Sequence, residues 1–256
     1  MIQIPKDLST FIREAGDMSR FTWRFFREGF RSRFEYEEFI KQCYVLGYRS
    51  LPLVALTAFI IGLVLTMQLR PSMVKYGVEV QIPAMVGISI VREIGPILTA
   101  LIFAGKIGSS IGAELGSMNV TEQIDAMEVS GTNPFKYLVV TRTLATTLML
   151  PVLVLIADAI ALFGSYLGEL MYEPLNLNLF YHKVFENLIY IDFVPAFIKT
   201  FFFGFAVGII GCFKGYFSDK GTEGVGHSAN SSVVVSSVMI FIIDLIAVQI
   251  ADFFQY

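Results

Sequence analysis

Residues 51 to 69, LPLVALTAFIIGLVLTMQL, run without a single charge, close to the ~20 apolar residues a helix needs to cross a ~30 Å hydrocarbon core. In lipid every backbone polar group must be satisfied within the protein, so such a run reads as a transmembrane helix. Four more stretches share its character: residues 97 to 117, 143 to 168 around Pro151 and Asp158, 193 to 213 around Lys199, and 233 to 253 around Asp244. With 55% hydrophobic and 16% charged residues and a mean hydropathy of +0.65, the chain is far from the composition of a soluble domain. The expected fold is all-α and polytopic: an N-terminal interfacial helix, about five transmembrane helices and a cytoplasmic helix between two of them. One domain covers 1–256, with an amphipathic region over 1–48 and the transmembrane region over 51–253. The second hydrophobic stretch is long, apolar from Pro83 to Met118, and Pro83, Gly87, Gly95 and Pro96 allow a break or re-entrant entry before its main span.

The first forty residues lack the long apolar run of a signal peptide. Arg20, Arg24, Arg27 and Arg31 recur at helical spacing, with Phe21, Trp23, Phe25, Phe26, Phe30 and Phe34 around them. This suits a helix in the membrane interface whose arginines reach lipid phosphates; an aromatic face would equally serve packing on the rest of the protein. Loop charge sets the orientation. The basic N-terminal region lies inside, as do residues 119 to 142 and the 214 to 231 loop with Lys214 and Lys220. The 169 to 192 loop, with Glu169, Glu173, Glu186 and Asp192 against Lys183, and the C-terminus lie outside.

Several functions are excluded or disfavoured. A net charge of -3 with no groove-sized basic patch removes nucleic acid as a partner. Cys43 and Cys212 lie far apart and form neither a metal pattern nor a disulfide framework. There is no GxxxxGK[ST] or HExxH sequence, so no metal or nucleotide site is recognisable in this chain. The nominal GxSxG at Gly108-Ser109-Ser110-Ile111-Gly112 lies inside an apolar helix, and the two histidines, His182 and His227, fall on opposite sides of the membrane. A serine hydrolase needs a nucleophile beside its base.

The stretch from Arg92 to Pro134 holds the densest chemistry. Gly108, Gly112 and Gly116 make two overlapping GxxxG steps, with Gly105 nearby, and let another helix approach closely, within the chain or across a dimer or gate interface. Charges at membrane depth cost roughly 2.5–3.5 kcal/mol each on insertion scales unless paired or wet. Arg92 and Glu93, beside Gly95-Pro96, mark either a polar point on a substrate route or an interfacial pair. Lys106 is a further charge of this kind, and Asp158, Lys199 and Asp244 are structural partners or proton-carrying groups. After the span the chain turns polar. Asn119 is placed as an N-cap with Glu122 three residues on, and the short helix ends near Ser130-Gly131. Ile124 and Met127 share one face, while Glu122, Asp125 and Glu128 form an acidic rim suited to a basic partner. A solvated loop helix is the plain alternative.

REIGPILTALIFAGKIGSSIGAELGSM followed by NVTEQIDAMEVSGTNPFKYLV closely resembles the signature of the MlaE-type permeases, the membrane subunits of ABC transporters associated with MCE proteins. LIADAIALFGSYLG, FKGYFSDKGTEGVG and the final span with Asp244 extend the resemblance. It implies a homodimer in the bacterial inner membrane with two cytoplasmic ABC ATPase subunits and a periplasmic MCE-domain protein. The implied cargo is phospholipid or a related amphiphile. ATP and magnesium would belong to the ATPase, leaving this chain without a cofactor or catalytic residues. The family's coupling helix maps to residues 120 to 130, with Glu122, Gln123, Asp125, Ala126 and Glu128 as contacts. The lipid cavity between the permeases would be lined by the first span at Leu63 and Met67, by Arg92 and Glu93, and by the last span with Asp244. Two other classes remain, a non-transporting scaffold that dimerises and recruits a cytoplasmic protein, and an enzyme of lipid metabolism, which lacks a catalytic constellation.

Overall fold

The computed structural model describes residues 6–29, 34–219 and 221–255. Phe30, Arg31 and Lys220 fall outside them. The described residues form helices joined by short turns, with no strand among them. α1 is Lys6–Gly29, α2 Tyr36–Lys75 and α3 Glu79–Val120, α4 Gln123–Val129, α5 Phe135–Leu170, α6 Leu177–Asn187, α7 Tyr190–Tyr216 and α8 Thr222–Gln255. α2, α3, α5, α7 and α8 are each long and apolar enough to cross a membrane, as the sequence leads one to expect. Their alternation leaves α1 and α4 at one end of the bundle and α6 at the other.

The break expected in the second span does not occur. α3 stays helical through two wide π turns, Ile90–Ile94 and Ala104–Gly108. At the first, the Gly95 amide bonds to the Ile90 carbonyl. That extra residue in the turn makes room for Pro96, whose ring and missing N–H would otherwise disrupt an α-helical turn.

Small residues set the helix contacts, as they do where lipid removes the hydrophobic drive between spans. A Cβ on Gly112 would sit 2.5 Å from Ser232 Oγ and 3.0 Å from the Ser228 carbonyl, and one on Gly116 2.8 Å from Ser228 Oγ. The glycine steps therefore seat α3 on α8 within the chain, where Ser228 Oγ also donates to the Gly112 carbonyl at 3.0 Å. Gly108 is looser and Gly105 faces open space. α2 and α5 meet backbone to backbone near Gly62 and Ala161. Above that contact Thr66 and Ser165 share a 2.7 Å hydrogen bond, and Arg70 pairs with Glu169 and with Glu173.

Part of the aromatic face of α1 packs on the rest of the protein. Phe21 and Phe25 are buried, with Phe21 edge-on to Phe135 and Phe213 at 4.9 and 5.5 Å. Trp23, 73% exposed, and Phe26 point outward. Glu14 pairs with Lys214, so α1 is also tied to the end of α7.

Candidate functional site

Two regions carry the candidate residues, one at each end of the bundle. At the first, α3 runs on to Val120, so Asn119 is no N-cap. It lies within the last turn of α3, and its amide donates to the Ser218 carbonyl at 3.0 Å. The chain reverses instead at Glu122, the one non-glycine residue with positive φ among those described, at φ 56 and ψ 20, and without a side-chain cap. The expected helix of 120 to 130 accordingly shortens to Gln123–Val129. Its end is as the sequence leads one to expect. Gly131 takes φ +82, its amide bonds to the Glu128 carbonyl, and the Thr132 amide bonds to the Met127 carbonyl, the paired bonds of a Schellman stop.

Ile124 is buried in the main core and Met127 packs on it. Glu122, Gln123, Asp125, Ala126 and Glu128 are exposed, and Val129 is 90% exposed. α4 is thus an acidic surface held from below. α1 braces the turn that follows: Arg24 bonds Glu28 at 2.8 Å, Asn133 donates to Glu28 at 2.7 Å, and the Arg24 guanidinium lies 4.3 Å over the Phe135 ring.

Toward the α6 end, α3, α7 and α8 converge on one charge network. Lys199 Nζ, 4% exposed, donates to Glu93 Oε2 at 2.7 Å and to Asp244 Oδ1 at 2.8 Å. Arg92 reaches Asp192 at 3.5 Å and Asp252 at 3.2 Å, and lies 3.9 Å from Glu93. Two cations therefore hold four carboxylates, which gives the buried ammonium the paired, hydrogen-bonded setting a charge needs at membrane depth. Asp192 also accepts from the Ile189 amide at 3.2 Å and so closes the first turn of α7.

Beside the network an apolar groove of about 730 Å³ opens between α7 and α8. Val194, Ile198, Phe202, Ile246 and Ile250 line it, and Lys199 is the charged residue on its wall. A site of this size, with apolar walls and one convergent polar point, has the character of an amphiphile-binding cleft. Of the expected path residues, the fold brings Arg92, Glu93 and Asp244 together. Leu63 and Met67, half-buried on α2, lie elsewhere, on a helix packed mainly against α5.

Lys199, Asp192 and Asp252 complete what sequence reasoning left unpaired. Asp192 and Lys199 are seven residues apart, and Asp244 and Asp252 eight, so each pair shares a helix face two turns apart; that spacing was the available signal. Lys106 donates to the Arg49 carbonyl. Arg142, buried, pairs with Glu114 at 2.8 Å. The nominal GxSxG is helix interior, and Ser109 Oγ donates to the Gly105 carbonyl.

Five membrane-length helices, an apolar groove with a charged wall and a surface helix outside the spans make this an all-α, multi-pass membrane protein. Residues 39–250 match the family Permease MlaE. A probable ABC transporter permease protein of Rickettsia prowazekii is 42% identical over 203 residues, 79% of this chain and 78% of its own length. A probable ABC transporter permease protein of Synechocystis is 34% identical over 79% of this chain and 77% of its own. The intermembrane phospholipid transport system permease protein MlaE of Haemophilus influenzae is 32% identical over 213 residues, 82% of this chain and 81% of its own. The chain belongs to the MlaE permease family and is a membrane permease subunit.

Proposed function

We propose that this permease moves phospholipid or a related amphiphile between the inner membrane and the outer envelope as part of an ATP-driven ABC transporter. It works as a homodimer in the bacterial inner membrane, with its N-terminus and α4 in the cytoplasm. Two ABC ATPase subunits, which bind the ATP and magnesium, seat on α4, and an MCE-domain protein receives or delivers lipid at the α6 end. The observation that carries this reading is the groove between α7 and α8: apolar along its length for acyl chains, with the ion-paired Lys199 in its wall as the polar point beside which a headgroup would rest. The phospholipid named for the Haemophilus relative supports the cargo.

The proposed cycle follows from how the two ends are built. Closure of the ATPases pushes on Glu122, Asp125 and Glu128. Because Ile124 and Met127 lock α4 into the core, the push reaches α3, and through Gly112 and Gly116 it reaches α8. The α7–α8 groove then changes shape, and with it the affinity for lipid. Transport needs that difference in affinity between two conformations.

The test is transfer of a fluorescent phospholipid from proteoliposomes holding the permease and its ATPase to the purified MCE protein. The expected result is transfer that requires ATP and all three proteins. ATP hydrolysis indifferent to phospholipid, with no transfer, would favour the scaffold.

A further inference from the structure

α1 sorts its charges by side. Two of its carboxylates turn to the protein: Glu14 pairs with Lys214 at the end of α7, and Glu28 accepts from Arg24 and from Asn133. Arg24, which also lies over the Phe135 ring, is committed inward with them. Arg13, Arg20 and Arg27 are left on the outer surface. They recur every seven residues and so form one line along the helix, two turns apart. Arg20 meets Asp17 at 3.7 Å with both side chains more than half exposed, a pair of little strength in water. No carboxylate reaches Arg13 or Arg27 among the described residues.

An apolar line runs beside the basic one. Ile12, Trp23 and Phe26 are all exposed, and at 3.6 residues per turn Trp23 falls between Ile12 and Phe26 on one side and the three arginines on the other. Phe26 stacks on Phe205 at 5.7 Å, and Phe202, about one turn away on the same membrane-length α7, is itself exposed. The apolar line of α1 thus joins the exposed apolar surface of a span. Apolar side chains, a tryptophan and then a row of cations, in that order around one helix, suit an element in the membrane interface, with the apolar side among acyl chains and the cations at the phosphates. Such a row gains most from headgroups that carry net negative charge.

We infer that the outer face of α1 binds anionic phospholipid headgroups of the surrounding membrane through Arg13, Arg20 and Arg27, in preference to zwitterionic ones. The site lies on the outside of the bundle, apart from the α7–α8 groove, and it stands whether or not the cargo is phospholipid.

Trp23 is the chain's one tryptophan, so its emission reports which lipids touch this face. The test places the full-length permease in nanodiscs of mixed phosphatidylcholine and phosphatidylglycerol, with quenching bromine on the acyl chains of one lipid or the other. At equal, low mole fractions brominated phosphatidylglycerol should quench Trp23 at least about fivefold more than brominated phosphatidylcholine, the enrichment expected of one arginine at an anionic surface. High salt should shrink the difference. Arg13→Gln, Arg20→Gln and Arg27→Gln together should abolish it while quenching by phosphatidylcholine persists, and the three Arg→Lys changes should retain it. No quenching by either lipid, equal quenching by both, or a preference unchanged in the glutamine variant would overturn the inference. So would shielding of Trp23 from brominated lipid once the ATPase is bound, which would make the face a protein contact.

Discussion

The α3–α8 contact near α4 and the junction of α3, α7 and α8 toward α6 are held together by different chemistry. Around α4, helices touch through glycine and serine, backbone close to backbone, with Ile124, Phe135 and Phe103 filling what is left. Toward α6, α3, α7 and α8 are joined through Lys199 and Arg92 to four carboxylates, beside an open groove. Close packing has few alternative arrangements and transmits displacement. Ion pairs at a groove wall can exchange partners without emptying a core. One region is therefore suited to receiving a push and the other to changing shape, which is the division of labour the proposed cycle requires.

The contrast can be broken most forcefully at Lys199. Lys199→Ala leaves Asp244 without its cation and Glu93 with Arg92 alone at 3.9 Å, an expected loss of about 3 kcal/mol, at the low end for a buried charge that loses its partner because Glu93 is a third exposed. Unfolding in detergent should show it, and the double variant with Asp244→Ala should recover part of it. Next comes Gly112→Val, whose added atoms meet Ser232 Oγ and the Ser228 carbonyl. Overpacking of this kind costs about 1–3 kcal/mol, and Ser232→Ala should relieve some of it. If Lys199→Ala were tolerated as well as alanine in place of an exposed lysine, the junction of α3, α7 and α8 would not be held by charge at all. The smallest expected effect is a gain: Glu122→Gly removes a left-handed strain of about 1 kcal/mol at the entry to α4. A thermal melt of the purified chain should move slightly upward.

The spans were legible because membrane insertion imposes length and apolarity on each of them, as in the uncharged run from Leu51 to Leu69. The stop of α4 was legible too, since Gly131 meets a steric demand that few other residues can. Its start was not: Asn119 and Glu122 have the spacing of a capping pair, but α3 is held helical to Val120 by its packing on α8, and that tertiary contact overrode the local signal. Likewise Gly95-Pro96 reads as a breaker, yet a π turn absorbs the proline. Arg92, Glu93 and Asp244 could be picked out singly as costly charges, while their partners Lys199, Asp192 and Asp252 could be assigned only once three helices were placed side by side. Asp158 is buried against Gly95 with its Oδ1 unpartnered among the described residues, a state invisible in the sequence for the same reason.

The most direct test of the proposed coupling reverses the exposed charges of α4, Glu122→Lys, Asp125→Lys and Glu128→Lys together, and reads phospholipid-stimulated ATP hydrolysis in the complex with the ATPase. Ile124 and Met127 are untouched, so the permease should fold and insert as before. The expected result is loss of ATPase binding and of lipid-stimulated hydrolysis. Normal assembly and normal stimulation in the triple variant would contradict the assignment of α4 as the element through which ATP drives this permease.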